Sequence, residues 1–156
     1  MFVFHFRLRK RVLAIGAAAL AIVLTLALFL PGCSSNGTTE PIAAATEEQR
    51  LAYLTSLGWT VENTPIETLD LQLPQKLEND WAAYAALQTE QGLPFAQFTG
   101  QQVRRFTYKV TNYPGVEKGV QVNLYVCGEQ LIGGDVICTG TNGFQTGLAF
   151  PQQEKA

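Results

Sequence analysis

A chain of 156 residues has room for one domain and a short anchor, and its 11 Lys and Arg against 13 Asp and Glu leave a formal net charge of −2. Arg7, Arg9, Lys10 and Arg11 precede every acid, so the chain beyond Cys33 is acidic and offers no basic footprint for nucleic acid. His5 is the only histidine, which excludes Ser-His and Cys-His nucleophiles and His-containing zinc sites from everything after the leader.

Residues 1–11 form a basic leader. Residues 12–30 carry no charge, and Thr25 is their only polar residue. At about 1.5 Å per residue a helix over this run is about 28 Å long, close to a hydrocarbon core of about 30 Å. It exceeds the apolar region of a cleaved signal peptide, about 7 to 15 residues. The basic residues before it place the N-terminus in the cytoplasm and export the rest. Leu30-Pro31-Gly32-Cys33 then has two leading readings, with free secretion as a third. The stretch is similar to the bacterial lipoprotein signal, with Pro31 as the departure, and Cys33 would be the lipid attachment point. Alternatively, Pro31 and Gly32 end a transmembrane helix. The expected localisation is therefore a single-pass protein of the cell membrane with its C-terminal domain outside, or a lipoprotein on the outer face.

Residues 31–45 are small and polar, as a flexible linker is. Thr46 and Gln49 have capping-box spacing, with acids between, and predict a helix that ends at Gly58. An extended segment follows from Trp59, interrupted at Asn63-Thr64-Pro65. Leu69 to Leu73 alternates strictly and predicts a half-buried strand. Pro74 opens a second predicted helix over 75–91, with Leu77, Trp81, Tyr84 and Leu87 on one core-facing stripe and Gly92 and Pro94 ending it. Strands are predicted over 101–110, 119–127 and 130–139, the last two as a hairpin turning at Gly128-Glu129, with a short final strand within 143–150. In this register Val120, Val122, Leu124 and Val126 share one buried face with Leu131 and Ile137, while Gln121, Asn123 and Tyr125 take the other.

The fold class expected is α+β: two N-terminal helices packed on one face of an antiparallel sheet of about four to five strands, after a single membrane anchor helix. The domain would span 46–150, with 151–156 a polar tail.

Four motifs occur in order: the Arg50 to Val61 opening, Leu87-Gln88-x-x-Gln91-Gly92, Arg104 to Gly115, and Leu131 to Val136, reading LIGGDV. This series resembles a family of small exported Gram-positive proteins, typical of clostridial gut anaerobes, known as domain of unknown function 4830. The resemblance covers about Glu47 to Leu148. It implies membrane anchoring with a domain outside, and it carries no function with it.

No phosphate loop, dinucleotide fingerprint or calcium loop is present, and no catalytic residue, metal or cofactor is expected. Cys127 and Cys138 are expected as free thiols. The hairpin register separates them by about 26 Å, where a disulfide needs Cα atoms within about 7 Å. Asp135 falls on the apolar face beside Val122 in the simple register. Either a bulge at Gly133-Gly134 turns it outward, or it is buried and pairs with Arg104 or Arg105, or it contacts a ligand. Arg105 and Lys109 share a strand face with Thr107, a solvated face or a docking site for an anionic wall polymer or an acidic protein. The function expected is a non-catalytic binding or interaction module of the cell envelope. The alternatives are a carboxylate-only hydrolase of envelope glycans and an inhibitor or escort of a partner protein.

Overall fold

The structure, a computed structural model, describes residues 40–140 and 143–152. The leader, residues 12–30 and Cys33 lie outside the described residues. Five strands form one antiparallel meander in the order β1-β2-β3-β4-β5. They are β1 (Glu67–Gln72), β2 (Gln102–Lys109), β3 (Val120–Cys127), β4 (Gln130–Cys138) and β5 (Phe144–Thr146). Helix α1 (Glu47–Ser56) precedes the sheet, and helix α2 (Asp80–Glu90) with a 3-10 turn (Phe95–Phe98) lies between β1 and β2.

Helix α1 forms as its local chemistry dictates. The Gln49 N–H donates to Thr46 Oγ1 at 3.3 Å and Gln49 Oε1 accepts from the Thr46 N–H at 3.1 Å, so the capping box is complete. At the other end Gly58 takes φ +95°. The Gly58 N–H reaches Thr55 O and the Trp59 N–H reaches Leu54 O, closing a Schellman motif. Ordered contacts begin before Thr46. Ala43 bridges Gln130, and the Arg50 guanidinium donates to the carbonyls of Ala44 and Ala45, both at 2.9 Å.

Helix α2 starts at Asp80, five residues later than the Pro74 signal suggests. The backbone before it is tied to the sheet, and Asn79 at its start takes φ +52°. Gly100 donates to the carbonyls of Leu73 and Pro74, and the Leu73 N–H donates to Gln101 O, so this backbone is held against the start of β2. The helix ends at Gly92 (φ +72°) in a second Schellman motif, with Gly92 N–H to Thr89 O and Leu93 N–H to Gln88 O. Strand β1 pairs only with β2 and is largely exposed rather than half-buried, because neither helix covers this edge; Leu69 is 43% exposed.

The two helices lie on opposite faces of the sheet, not on one. On the α1 face Leu54, Trp59, Tyr108, Val122, Leu124, Val136 and Leu148 form one core. On the α2 face Ala85, Phe95, Val103, Tyr125 and Ile132 form a second. The face expected to be polar is therefore covered as well. Asn123 is 5% exposed and Tyr125 8%.

A bulge sets which side chains reach which face. Val126 pairs with Leu131 but Tyr125 pairs with Gly133, so β4 carries one extra residue at Ile132. Beyond it the parity reverses. Val136, not Ile137, stands opposite the apolar position, Val122, and Asp135 stands opposite Asn123. The bulge is one residue earlier than the Gly133-Gly134 position considered from sequence. It turns Asp135 away from Val122 but not into solvent, because α2 covers the side to which it turns.

Candidate functional site

Thr107, Asn123 and Asp135 form one row across β2, β3 and β4 on the α2 face. Thr107 Oγ1 donates to Asn123 Oδ1 at 2.7 Å, which orients the Asn123 amide toward Asp135, with Nδ2 to Oδ2 at 3.4 Å. From α2, the Tyr84 hydroxyl donates to Asp135 Oδ1 at 2.9 Å. From β5, one diagonal step along the sheet, Gln145 Nε2 donates to Oδ2, also at 2.9 Å. Asp135 itself is 1% exposed.

The electrostatics follow from this burial. Desolvation lifts the Asp135 carboxyl above its ordinary range, and the bonds from Gln145, Tyr84 and Asn123 and the Arg105 charge pull back against it. Desolvation and the neighbouring Asp135 charge push the Tyr84 phenol far above its ordinary value, so at neutral pH Tyr84 is a donor. Burial also raises the Tyr125 phenol, with Arg105 offsetting part of the effect.

Above this row is an open pocket of about 510 Å³. Trp81, Tyr84 and Tyr125 line its aromatic side, and Arg105, Asn123, Asp135 and Gln145 its polar side. The aromatic wall is built by packing on α2. Trp81 meets Tyr84 edge-on at 6.3 Å, and Tyr84 meets Tyr125 at 5.4 Å. Gly133 makes room for that packing, since a Cβ there would lie 2.8 Å from Phe95 Cδ2. Gln88 and Gln91 hold the same stretch of β4. Gln88 Oε1 accepts from the Gly134 N–H at 2.8 Å, and Gln91 Nε2 donates to Gly134 O at 3.1 Å. Two of the four sequence motifs, the Gln88/Gln91 pair and the Gly133-Gly134 step, thus interlock in space.

Arg105 and Asp135, both singled out from sequence, come together in this pocket, though not as an ion pair. Arg105 Nη2 donates to Glu67 at the β1 edge, and its buried Nε has no hydrogen-bond partner among the described residues. Lys109 is not part of the pocket; its Nζ pairs with Glu62 at 2.5 Å. Arg104 points to the opposite face and pairs with Asp70 at 2.6 Å. Each basic residue of β2 is therefore matched by an acid on the neighbouring segment, and the two exposed pairs, Arg104 with Asp70 and Lys109 with Glu62, are of small energetic weight. Tyr84 had a core role in the sequence reading, and Gln145 carried no signal, since a three-residue strand has too few positions to show a period.

Cys127 and Cys138 are free thiols, each half-buried. Among the described residues no group of three or more His, Cys, Asp or Glu could hold a metal, and no helix is long and apolar enough to cross a membrane.

The pocket residues Trp81, Tyr84, Arg105, Asn123, Tyr125 and Asp135 all fall within residues 53–136, which match the family model Domain of unknown function (DUF4830). The chain belongs to that family. The matched span stops short of β5, so Gln145 lies beyond it. No curated protein and no solved structure matches the chain.

Proposed function

We propose that this protein is a non-catalytic binding module of the cell envelope, held at the outer face of the cell membrane by its N-terminal segment. The basic leader followed by the uncharged run 12–30 supports the tether. The observation that carries the binding role is the pocket on the α2 face. It combines aromatic walls with planar polar side chains, the mixture that orients a small ligand. The Asp135 oxygens are held by Tyr84, Asn123 and Gln145, an arrangement suited to recognition rather than to proton transfer. The test is retention of the full-length chain, in detergent, by isolated envelope fragments. Binding that falls at least tenfold in Trp81→Ala and Tyr125→Ala but not in Lys109→Ala, an estimate of about 1.4 kcal/mol, fits the account. A wild-type chain that envelope fragments do not retain contradicts it.

One observation favours a carboxylate-only hydrolase as a second reading. Asp80 and Asp135 both line the pocket, and burial raises the Asp135 carboxyl toward the protonated state of a general acid. Release of reducing ends from envelope glycans by the wild type, lost in Asp80→Asn, would favour that reading over the first.

A further inference from the structure

The chemistry of the pocket narrows its ligand, given the binding role proposed above. Among the described residues the buried Asp135 carboxylate has no ion pair; its three hydrogen-bond donors are all neutral. Arg105, the cation lining the same pocket, is drawn to Glu67 on the β1 side. A carboxylate held out of water with no cation in hydrogen-bond contact, its burial offset only in part by the Arg105 charge, is unfavourable, and a cation delivered to it relieves that cost.

Two further features point the same way. Trp81, Tyr84 and Tyr125 line the pocket together with Asp135, and an aromatic face turned to such a space attracts organic cations. Asp80 adds a second negative charge to the lining. Of the three donors to Asp135, Gln145 is the exposed one. It stands on the three-residue edge strand β5 and covers Asp135 Oδ2 with its amide. The other donor to that oxygen, Asn123, is long at 3.4 Å. Swinging the Gln145 side chain aside would open Oδ2 to a charged donor, which makes a stronger hydrogen bond than the amide it replaces.

We infer that the pocket binds a primary ammonium group, seated on Asp135 Oδ2 in place of the Gln145 amide and flanked by Trp81, Tyr84 and Tyr125. The ligand class is an amine, carried on an amino-sugar ring or on a short alkyl chain. No covalent step is involved.

The test is a fluorescence titration of the full-length chain in detergent. The chain has two tryptophans, and only Trp81 lines the pocket, so a signal lost in Trp81→Phe reports the site. The probes are glucosamine, n-butylamine, N-acetylglucosamine and glucuronate. Glucosamine should bind at least about tenfold more tightly than the neutral and the anionic sugar. If n-butylamine matches glucosamine, the ammonium alone is recognised; if it is weaker, the ring contributes. Gln145→Ala changes an exposed side chain and should tighten glucosamine, while Asp135→Asn should abolish the preference for charge. Equal binding of glucosamine and N-acetylglucosamine overturns the ammonium inference and leaves the binding role intact. Absence of binding by every probe, in a chain that envelope fragments still retain, overturns the inference in the same way. Only loss of retention by the fragments removes the binding role itself.

Discussion

Asp135 on β4 and Tyr84 on α2 lie 51 residues apart in the chain and 2.9 Å apart in space. Their bond joins the helix to the sheet at the pocket, and the Ile132 bulge turns Asp135 to this side. The bond is testable. Tyr84→Phe keeps the aromatic wall and removes the donor, so Asp135 loses one of its three partners. Chemical denaturation should show a loss of about 1 to 3 kcal/mol, and the Asp135 carboxyl should titrate higher than in the wild type. An unchanged denaturation midpoint would mean that the hydroxyl makes no such bond.

The pH dependence has a definite sign. Burial places the folded Asp135 carboxyl above its ordinary 3.8. The folded chain therefore holds this proton more tightly than the unfolded chain does. The contribution of Asp135 to stability falls as pH rises from the ordinary value through the raised one, and it stays reduced above that. Asp70, held low by Arg104, acts in the opposite sense, since its contribution is lost as pH falls. The thermal midpoint should thus decline as pH is raised above the ordinary carboxylate value, and Asp135→Asn should flatten that decline. A decline of equal slope in the variant would place its origin elsewhere.

The β3–β4 ladder also demands a glycine at position 134. A Cβ on Gly134 would lie 2.7 Å from Leu148 Cδ1 and 2.8 Å from the Asn123 carbonyl oxygen. The backbone atom cannot swing aside, so Gly134→Ala should destabilise the domain by about 1 to 3 kcal/mol. Urea unfolding measures this directly, and a neutral result would show that β3 and β4 are not paired in this register.

Both cysteines of the domain should behave as thiols. Cys138 pairs with Val120 while Cys127 pairs with Gln130, so the two stand near opposite ends of the β3–β4 ladder. Denatured without reductant, the chain should alkylate fully at Cys127 and Cys138. A peptide linking them would refute the ladder.

The anchor has its own test. If the proposed tether is a single transmembrane pass, the chain should incorporate no clickable fatty acid, in wild type or in Cys33→Ala, and should keep its N-terminus. Label in the wild type that Cys33→Ala abolishes would assign the anchor to lipid on Cys33.

What the sequence discloses here is what local chemistry decides. The Thr46/Gln49 capping box, the Gly58 and Gly92 helix ends and the Gly128-Glu129 hairpin all act within a few residues, and all are readable without the fold. The Ile132 bulge is not. Leu131 and Ile132 are both apolar, so the alternating pattern reads equally well with or without an extra residue. The Pro74 backbone is held by Gly100, more than twenty residues beyond it. The packing of Phe95 against β4 on the far face depends on Gly133 leaving room for it. Asp135 stands out in the sequence as a charge on an apolar strand face, and Arg105 as a basic residue sharing a strand face with Thr107 and Lys109. Tyr84 and Gln145, which complete the site, look like core and loop residues until the sheet brings them to Asp135.

Site-specific photo-crosslinking in intact cells tests the binding role most directly. A photoreactive residue replaces Leu87, half-buried on the pocket lining, or Ile66, exposed beside β1 on the sheet edge. The account predicts an adduct from position 87 that Trp81→Ala suppresses, and none from position 66. An adduct from position 66 alone would contradict it and move the functional surface to the β1 edge.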